Sequence, residues 1–405
     1  MNKKIDFFNL SRQHEKNKAN IVSKINEVLD AQAFIGGKFV EEFETNFAKY
    51  TNAKYAISCN SGTDALLMAL DVIGLQKNEI VLTTPFSFIA SSSEIVALEA
   101  HAVFIDIEEK TYNIDPVKIE NYINNNCEFK NNNVIEKKTG YKVAGILPVD
   151  IFGQCADYEK INLIAKKYNL FVIQDSCQAV GSVDKNNIQA GNHGDITCFS
   201  FYPTKNLGAY GDGGACTTNN PELAEKLLRY RNHGRKSHYN YIEHGINSRL
   251  DGIQAAILSE KLNLLDNLNN RRREIASIYN KELAGLNNII LPQEINGKHV
   301  YHQYCIKLEN IDREAFMQEL KNRGVGTNIY YPKGLNNIDF LTTDSRVKTN
   351  CTISDSLTET IVALPVWPEL EAQEVFYICE QVKETTKNLI LSAKIQPNKQ
   401  NQNIF

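Results

Sequence analysis

Residues Lys54-Tyr55-Ala56-Ile57-Ser58-Cys59-Asn60-Ser61-Gly62-Thr63-Asp64-Ala65-Leu66-Leu67-Met68-Ala69-Leu70 decide the fold class of this chain. The first six read as a strand, and Asn60 to Thr63 as a turn. Asp64 to Leu70 combines apolar spacing with strong helix formers and predicts a helix. A strand feeding directly into a helix is half of a parallel crossover unit, and the pattern recurs downstream. Further strands are predicted at Glu79 to Thr84, Ala102 to Ile107, Lys142 to Val149, Leu170 to Asp175, Asp195 to Phe201 and Gly213 to Thr218. Helices are predicted around Ser87 to Leu98 and Tyr158 to Lys167. The fold class is therefore α/β, with a mainly parallel sheet.

Past Asn219 the character changes. Pro221-Glu222-Leu223 opens a helix, and Arg249 to Asn280 carries one long, charged amphipathic pattern. The remainder mixes strands such as Tyr304 to Leu308 with helices, which fits a smaller C-terminal α+β domain. The expected division is 1–250 for a large ligand-binding domain, 251–393 for the small one and 394–405 for a polar tail rich in Asn, Gln and Lys. Residues 124–138, with two asparagine runs, read as a polar insertion loop.

A chain of 405 residues is long enough for two cores. Lys plus Arg total 44 against 48 for Asp plus Glu, so the global field gives no attraction for a polyanion, and nucleic acid is not an expected partner. No apolar run reaches the roughly 18 residues of a membrane helix, and Met1 to Asp6 leads into no signal-peptide core, so a cytoplasmic location is expected. Nine cysteines without a Cys-x-x-Cys pair suggest neither a disulfide framework nor zinc, and the histidines have no ligand spacing, so no metal site is expected.

Open parallel sheets bind ligands at the carboxyl ends of their strands. Three such ends carry polar groups. Ser61-Gly62-Thr63 opens a helix, where backbone N–H groups and the helix dipole can cradle a phosphate. Taken alone, a Ser or Thr there is more often a plain N-cap. Asp175 closes the apolar run Leu170 to Gln174, and a carboxylate at a buried strand tip is costly without a partner. Lys205 lies just past another apolar strand, where loss of water lowers an amine's pKa and prepares it as a nucleophile. A phosphate anchor, an acid for a pyridinium nitrogen and a Schiff-base amine are the minimum set for pyridoxal phosphate.

Ser61-Gly62-Thr63-Asp64-Ala65-Leu66, Gln174-Asp175-Ser176-Cys177-Gln178-Ala179, Phe199 to Gly208 and Asn247-Ser248-Arg249-Leu250-Asp251 together resemble motifs of the DegT/DnrJ/EryC1/StrS sugar aminotransferases, in the right order. The resemblance runs from about Ile5 to about Leu391 and implies a fold-type I pyridoxal phosphate aminotransferase acting on a nucleotide-linked keto sugar. It implies that Lys205 is the Schiff-base lysine, that Asp175 pairs with the ring nitrogen, that Gln178 meets the ring hydroxyl and that Phe88 stacks on the ring. Gly62, Thr63 and Ser200 would hold the phosphate, joined by Asn247 from the other subunit of a homodimer. Arg249 and Tyr331 are the implied sugar-nucleotide contacts, although Arg249 serves equally well as a structural ion pair.

Asn206-Leu207-Gly208 and Gly211-Asp212-Gly213-Gly214 are similar to members that aminate carbon 3 of the sugar, including those acting on UDP-3-keto-N-acetylglucosaminuronate. Relatives often have His where Tyr330 stands. By resemblance L-glutamate is the donor, Lys205 is covalent anchor and general base, and surface polysaccharide or lipopolysaccharide synthesis is the destination. Two rival readings remain at this point. A dehydratase of the same family would carry histidine in place of Lys205, and a regulatory binding protein would hold the ligand without turnover.

Overall fold

The computed structural model describes residues 4–395. Among these residues, nine strands join in one sheet. In chain order its first strands are β1 (Tyr55–Cys59), β2 (Ile80–Thr83), β3 (His101–Phe104), β4 (Cys127–Lys130), β5 (Asn133–Glu136), β6 (Lys142–Leu147) and β7 (Phe171–Asp175). Strands Ile196–Ser200 and Gly214–Thr218 complete it. Across the sheet the order is β1, Gly214–Thr218, Ile196–Ser200, β7, β6, β2, β3. The pairings from Ile196–Ser200 through to β3 are parallel, whereas Gly214–Thr218 runs antiparallel to both neighbours. The parallel strands therefore present their carboxyl ends along one edge.

The helices are α1 (Ser11–Ala31), α2 (Lys38–Thr51), α3 (Gly62–Val72), α4 (Ala90–Ala97), α5 (Pro116–Asn126), α6 (Tyr158–Tyr168), α7 (Pro221–Tyr230), α8 (Gly252–Leu262), α9 (Leu265–Glu282), α10 (Arg313–Asn322), α11 (Thr352–Thr360) and α12 (Ala372–Ile395). They cover both faces, which is why β2 is apolar almost throughout rather than alternating. Val81 packs in the cluster of Leu66 and Ile95 from α3 and α4, while Ile80 and Leu82 pack with Ile119 and Ile161 from α5 and α6. That alternation is the period-two geometry of a strand. A third cluster seats Phe43 and Phe47 of α2 edge-on against Phe201. No helix among the described residues is long and apolar enough to cross a membrane.

The smaller lobe is an antiparallel sheet of Ile289–Ile290, Tyr304–Leu308 and Ile361–Leu364, packed with α9, α10 and α12. Its packing departs from a cut at residue 250. Leu258 and Leu262 of α8 are buried with Phe43 of the large lobe, while Ile5 crosses over to bridge Val325 and joins the small lobe's core. The amphipathic stretch Arg249 to Asn280 is divided between two helices, with a break at Asn263 and Leu264. The polar tail expected from 394 lies outside the described residues from 396 onward.

The insertion at 124–138 is not a loop. Its first asparagine run ends α5, where Asn126 Nδ2 donates to Tyr122 O at 3.1 Å. β4 and β5 then form a hairpin closed by the pair Lys130 and Asn133. Asn131 and Asn132 have φ of 50° and 61°. Positive φ at both central residues defines the turn that matches strand twist, and asparagine is among the few residues that adopt it readily. β5 pairs with Lys142 and Val143, so the hairpin sits at the amino end of β6.

Candidate active site

The loop after Ile196–Ser200 folds back on itself. Lys205 N donates to Tyr202 O at 2.8 Å, and Ala209 N donates to Phe201 O at 2.8 Å. At Gly208 a Cβ would come within 2.3 Å of Pro203 O, so the turn closes only around glycine. Buried Leu207 anchors the loop in the core, and Asn206 Nδ2 donates to Asn269 Oδ1 of α9 at 2.7 Å. Lys205 is thereby presented to a cavity of about 510 Å³. Burial lowers the pKa of its amine below the ordinary lysine value, and the Cys177 thiol and Asp175 carboxylate oppose that shift.

Asp175 ends β7 and lines the same cavity, 4% exposed. Ser91 Oγ of α4 donates to its Oδ2 at 2.8 Å, and Cys177 N donates to its Oδ1 at 3.1 Å. Two donors from different elements orient the carboxylate. Behind it, Asp150 N donates to Asp175 O at 2.9 Å. The buried Asp150 carboxyl receives Ala156 N, Tyr158 Oη and Gln174 Nε2. Burial pushes its pKa up to about 7, against the pull of those donors.

The third wall is the start of α3. Ser61 Oγ caps the helix by accepting from Asp64 N at 3.0 Å, so the plain N-cap and the ligand cradle coexist in one turn. Gly62 and Thr63 line the cavity beside Ser200, and helix-start N–H groups have no intrahelical partner. A Cβ on Gly62 would sit 2.6 Å from Ser200 Cβ, and one on Gly214 would sit 2.3 Å from Ser61 O. Both glycines let Ser61, Gly62 and Ser200 pack closely together at this corner.

Of the other predicted residues, Phe88, Gln178 and Tyr331 also line the cavity. Phe88 is 56% exposed at its rim. Gln178 Oε1 accepts from Phe152 N at 3.0 Å and its Nε2 donates to Tyr331 Oη at 3.0 Å, so the two predicted residues hold one another. Burial raises the Tyr331 phenol and keeps it protonated. Asn247 and Arg249 are not brought to the cavity of their own chain. Asn247 is exposed and bridges Asn232, whose Oδ1 accepts from Arg249 Nη1 at 3.2 Å. The structure adds lining residues that the sequence reading did not name as site residues, among them Ser91, Tyr202, His302 and Gln303. The polar His302-Gln303 pair just before the apolar Tyr304 to Leu308 run was the available signal for two of them.

A helix start with unpartnered N–H groups beside Ser200, a buried oriented carboxylate and a desolvated amine fit pyridoxal phosphate. Comparison with known proteins agrees. The DegT/DnrJ/EryC1/StrS aminotransferase family profile matches residues 15–383. The chain is 37% identical over 384 residues to a pleiotropic regulatory protein of Geobacillus stearothermophilus, covering 94% of this chain and 98% of that one. It is 34% identical to the UDP-2-acetamido-2-deoxy-3-oxo-D-glucuronate aminotransferase of Pseudomonas aeruginosa, covering 93% and 98%. The solved structure of NtdA from Bacillus subtilis with bound cofactor PMP superposes with a TM-score of 0.84 at 30% identity, covering 95% of this chain and 85% of that one.

Proposed function

The chain belongs to the DegT/DnrJ/EryC1/StrS aminotransferase family, whose cofactor is pyridoxal phosphate, and from that membership we propose that it moves an amino group from L-glutamate to carbon 3 of a nucleotide-linked keto sugar. The observation that carries the reading is the meeting of Lys205, Asp175 and the Gly62 corner around one cavity.

When bound, the cofactor supplies a carbon that takes up the amino group and a ring that accepts the electrons left when a carbon–hydrogen bond breaks. The chain's own groups do the rest. Gly62, Thr63 and Ser200 hold the phosphate, Phe88 covers the ring, Gln178 reaches its hydroxyl and Asp175 keeps its nitrogen protonated. Lys205 Nζ anchors the cofactor, takes a proton from the donor's α-carbon and returns one to the sugar carbon. Burial helps by making the neutral amine accessible nearer neutral pH, so turnover falls as pH drops through the lowered Lys205 value. Tyr331, held by Gln178, faces the sugar.

Asn247 and Arg249 act on the site of the partner in a homodimer, which accounts for their exclusion from their own cavity. By resemblance, the proposed role lies in surface polysaccharide synthesis in the cytoplasm. The test supplies 3-keto and 4-keto nucleotide sugars with glutamate and identifies the product by mass and NMR. A 3-amino sugar with one 2-oxoglutarate per turnover is expected. Exclusive 4-amination would overturn the position, and no product from any keto sugar would overturn the substrate class.

A further inference from the structure

Asn247 and Arg249 stay out of their own chain's cavity, but the residue between them reaches the frame of that cavity. Ser248 is 0% exposed and does not itself line the cavity. Its Oγ donates to Asp64 Oδ2 at 2.6 Å and accepts from Asn60 N at 3.0 Å. Asn60 follows the last residue of β1, and Asp64 is the third residue of α3. One hydroxyl therefore spans the turn that carries Ser61, Gly62 and Thr63. The directions are fixed, because a backbone N–H can only donate and the hydroxyl has a single hydrogen to spend on the carboxylate.

Ser61-x-x-Asp64 has the spacing of a capping box. Half of the box is present, since Ser61 Oγ accepts from Asp64 N at 3.0 Å. The Asp64 carboxylate then ties the helix start to a serine 184 residues further along the chain. Ser248 is itself anchored from behind. Its N donates to Arg231 O at 2.9 Å, Arg231 Nη1 donates to Ser58 O of β1 at 2.6 Å, and the guanidinium pairs with Glu44 of α2. The serine is held by the framework of the sheet, and the turn is held by the serine.

We propose that Ser248 is a positioning residue for the cavity-facing turn: its hydroxyl clamps Asn60 to Asp64, so that the free N–H groups of Gly62 and Thr63 meet a phosphate in a preset arrangement. A hydrogen bond from a hydroxyl to a carboxylate is of the short, strong kind. Without it Asn60 N and Asp64 Oδ2 lose their shared partner, and the turn is ordered only when the ligand arrives, at a cost to binding. The inference rests on the reading of this corner as the cofactor's phosphate site, and the tests separate the two.

The probes are pyridoxal phosphate and pyridoxal, which share the aldehyde and differ in the phosphate alone. In absorbance titrations Ser248→Ala should weaken pyridoxal phosphate binding by about tenfold and leave pyridoxal within about twofold. A general folding defect would weaken both alike. Asp64→Ala should lose about as much as Ser248→Ala, and the double variant little more than either, as expected of two residues sharing one bond. The loss should persist when Asn247 is already Ala, since the serine acts through the turn and not through its neighbour. Equal losses for the two ligands, additive losses in the double variant, or a Ser248→Ala effect that vanishes beside Asn247→Ala would each overturn the proposal. Should Ser248→Ala fail to fold, hydrogen exchange on the unaltered, cofactor-free protein decides. The Asn60 amide, on an exposed residue, should exchange at least about tenfold more slowly than an unprotected amide, and free exchange there overturns the clamp. If the unaltered protein binds pyridoxal phosphate no better than pyridoxal, the phosphate corner itself is misread and the proposal falls with it. A preference that survives undiminished in Ser248→Ala removes the serine alone.

Discussion

At the carboxyl end of β7, Asp175 is 4% exposed and both its oxygens are taken by donors from different elements. At the amino end of β6, the hairpin of β4 and β5 holds Glu128, Phe129 and Lys130 in solvent, with Phe129 59% exposed. Both regions lie at strand ends of one sheet, but only the first places polar groups where water is excluded. A buried polar group is tolerated only with partners, so its neighbours are fixed, whereas an exposed one constrains little beyond its own turn.

The contrast can be broken by mutation, and the largest effect belongs to Lys205. Lys205→Ala should cut glutamate-dependent turnover by at least about 1,000-fold without lowering the melting temperature, and abolish the visible absorbance of lysine-bound cofactor. Multiple turnovers at near wild-type rate would remove Lys205 from the chemistry.

Gly62→Ala comes next. Its Cβ would meet Ser200 Cβ at 2.6 Å, so overpacking should cost about 1–3 kcal/mol of stability, and the displaced Ser200 should weaken cofactor binding. An unchanged Kd in a cofactor titration would show that the corner has more give than its geometry allows.

Asp150 is a subtler probe of the buried end. Its folded pKa, about 7, lies above the usual carboxylate value of about 3.9, so the folded state binds the extra proton between them. Stability contributed by this group is then present at low pH and declines as pH rises toward 7, at no more than about 1.4 kcal/mol per unit. Denaturant midpoints measured across that range should lose this component of slope in Asp150→Asn. A slope identical in both proteins would mean that Asp150 titrates no differently when folded.

The smallest effect is expected at the hairpin. Eight Gly and Ser residues inserted between Asn131 and Asn132 should leave kcat and KM within about twofold and cost less than about 1 kcal/mol. A large loss of activity would mean that the two ends of the sheet are coupled.

These regions also mark what the sequence made legible. Lys205, Asp175 and Gly62 stood out because each follows a run whose apolar character identifies a strand, and a strand end locates its residue in space. His302 carries a weaker signal, since it precedes its apolar run instead of ending one and its place depends on how the small lobe docks through Asn206 and Asn269. The hairpin was misread for a different reason. Asparagine runs resemble loops in composition, but Asn131 and Asn132 are there for a backbone conformation with positive φ. The break between α8 and α9 was hidden because the amphipathic pattern continues across Asn263 and Leu264.

The closure of the lysine loop has a consequence for time. With Lys205 N bonded to Tyr202 O, Ala209 N to Phe201 O and Asn206 fastened to α9, the backbone has no slack to swing the amine between two carbons. The transfer proposed for Lys205 would then be made by rotation about the lysine's own side-chain bonds. Such rotamer changes take picoseconds to nanoseconds, against nanoseconds to microseconds for a loop. As the proposed proton carrier, Lys205 would reset far faster than a loop-borne group, leaving bond breaking or the exchange of substrates to set the pace.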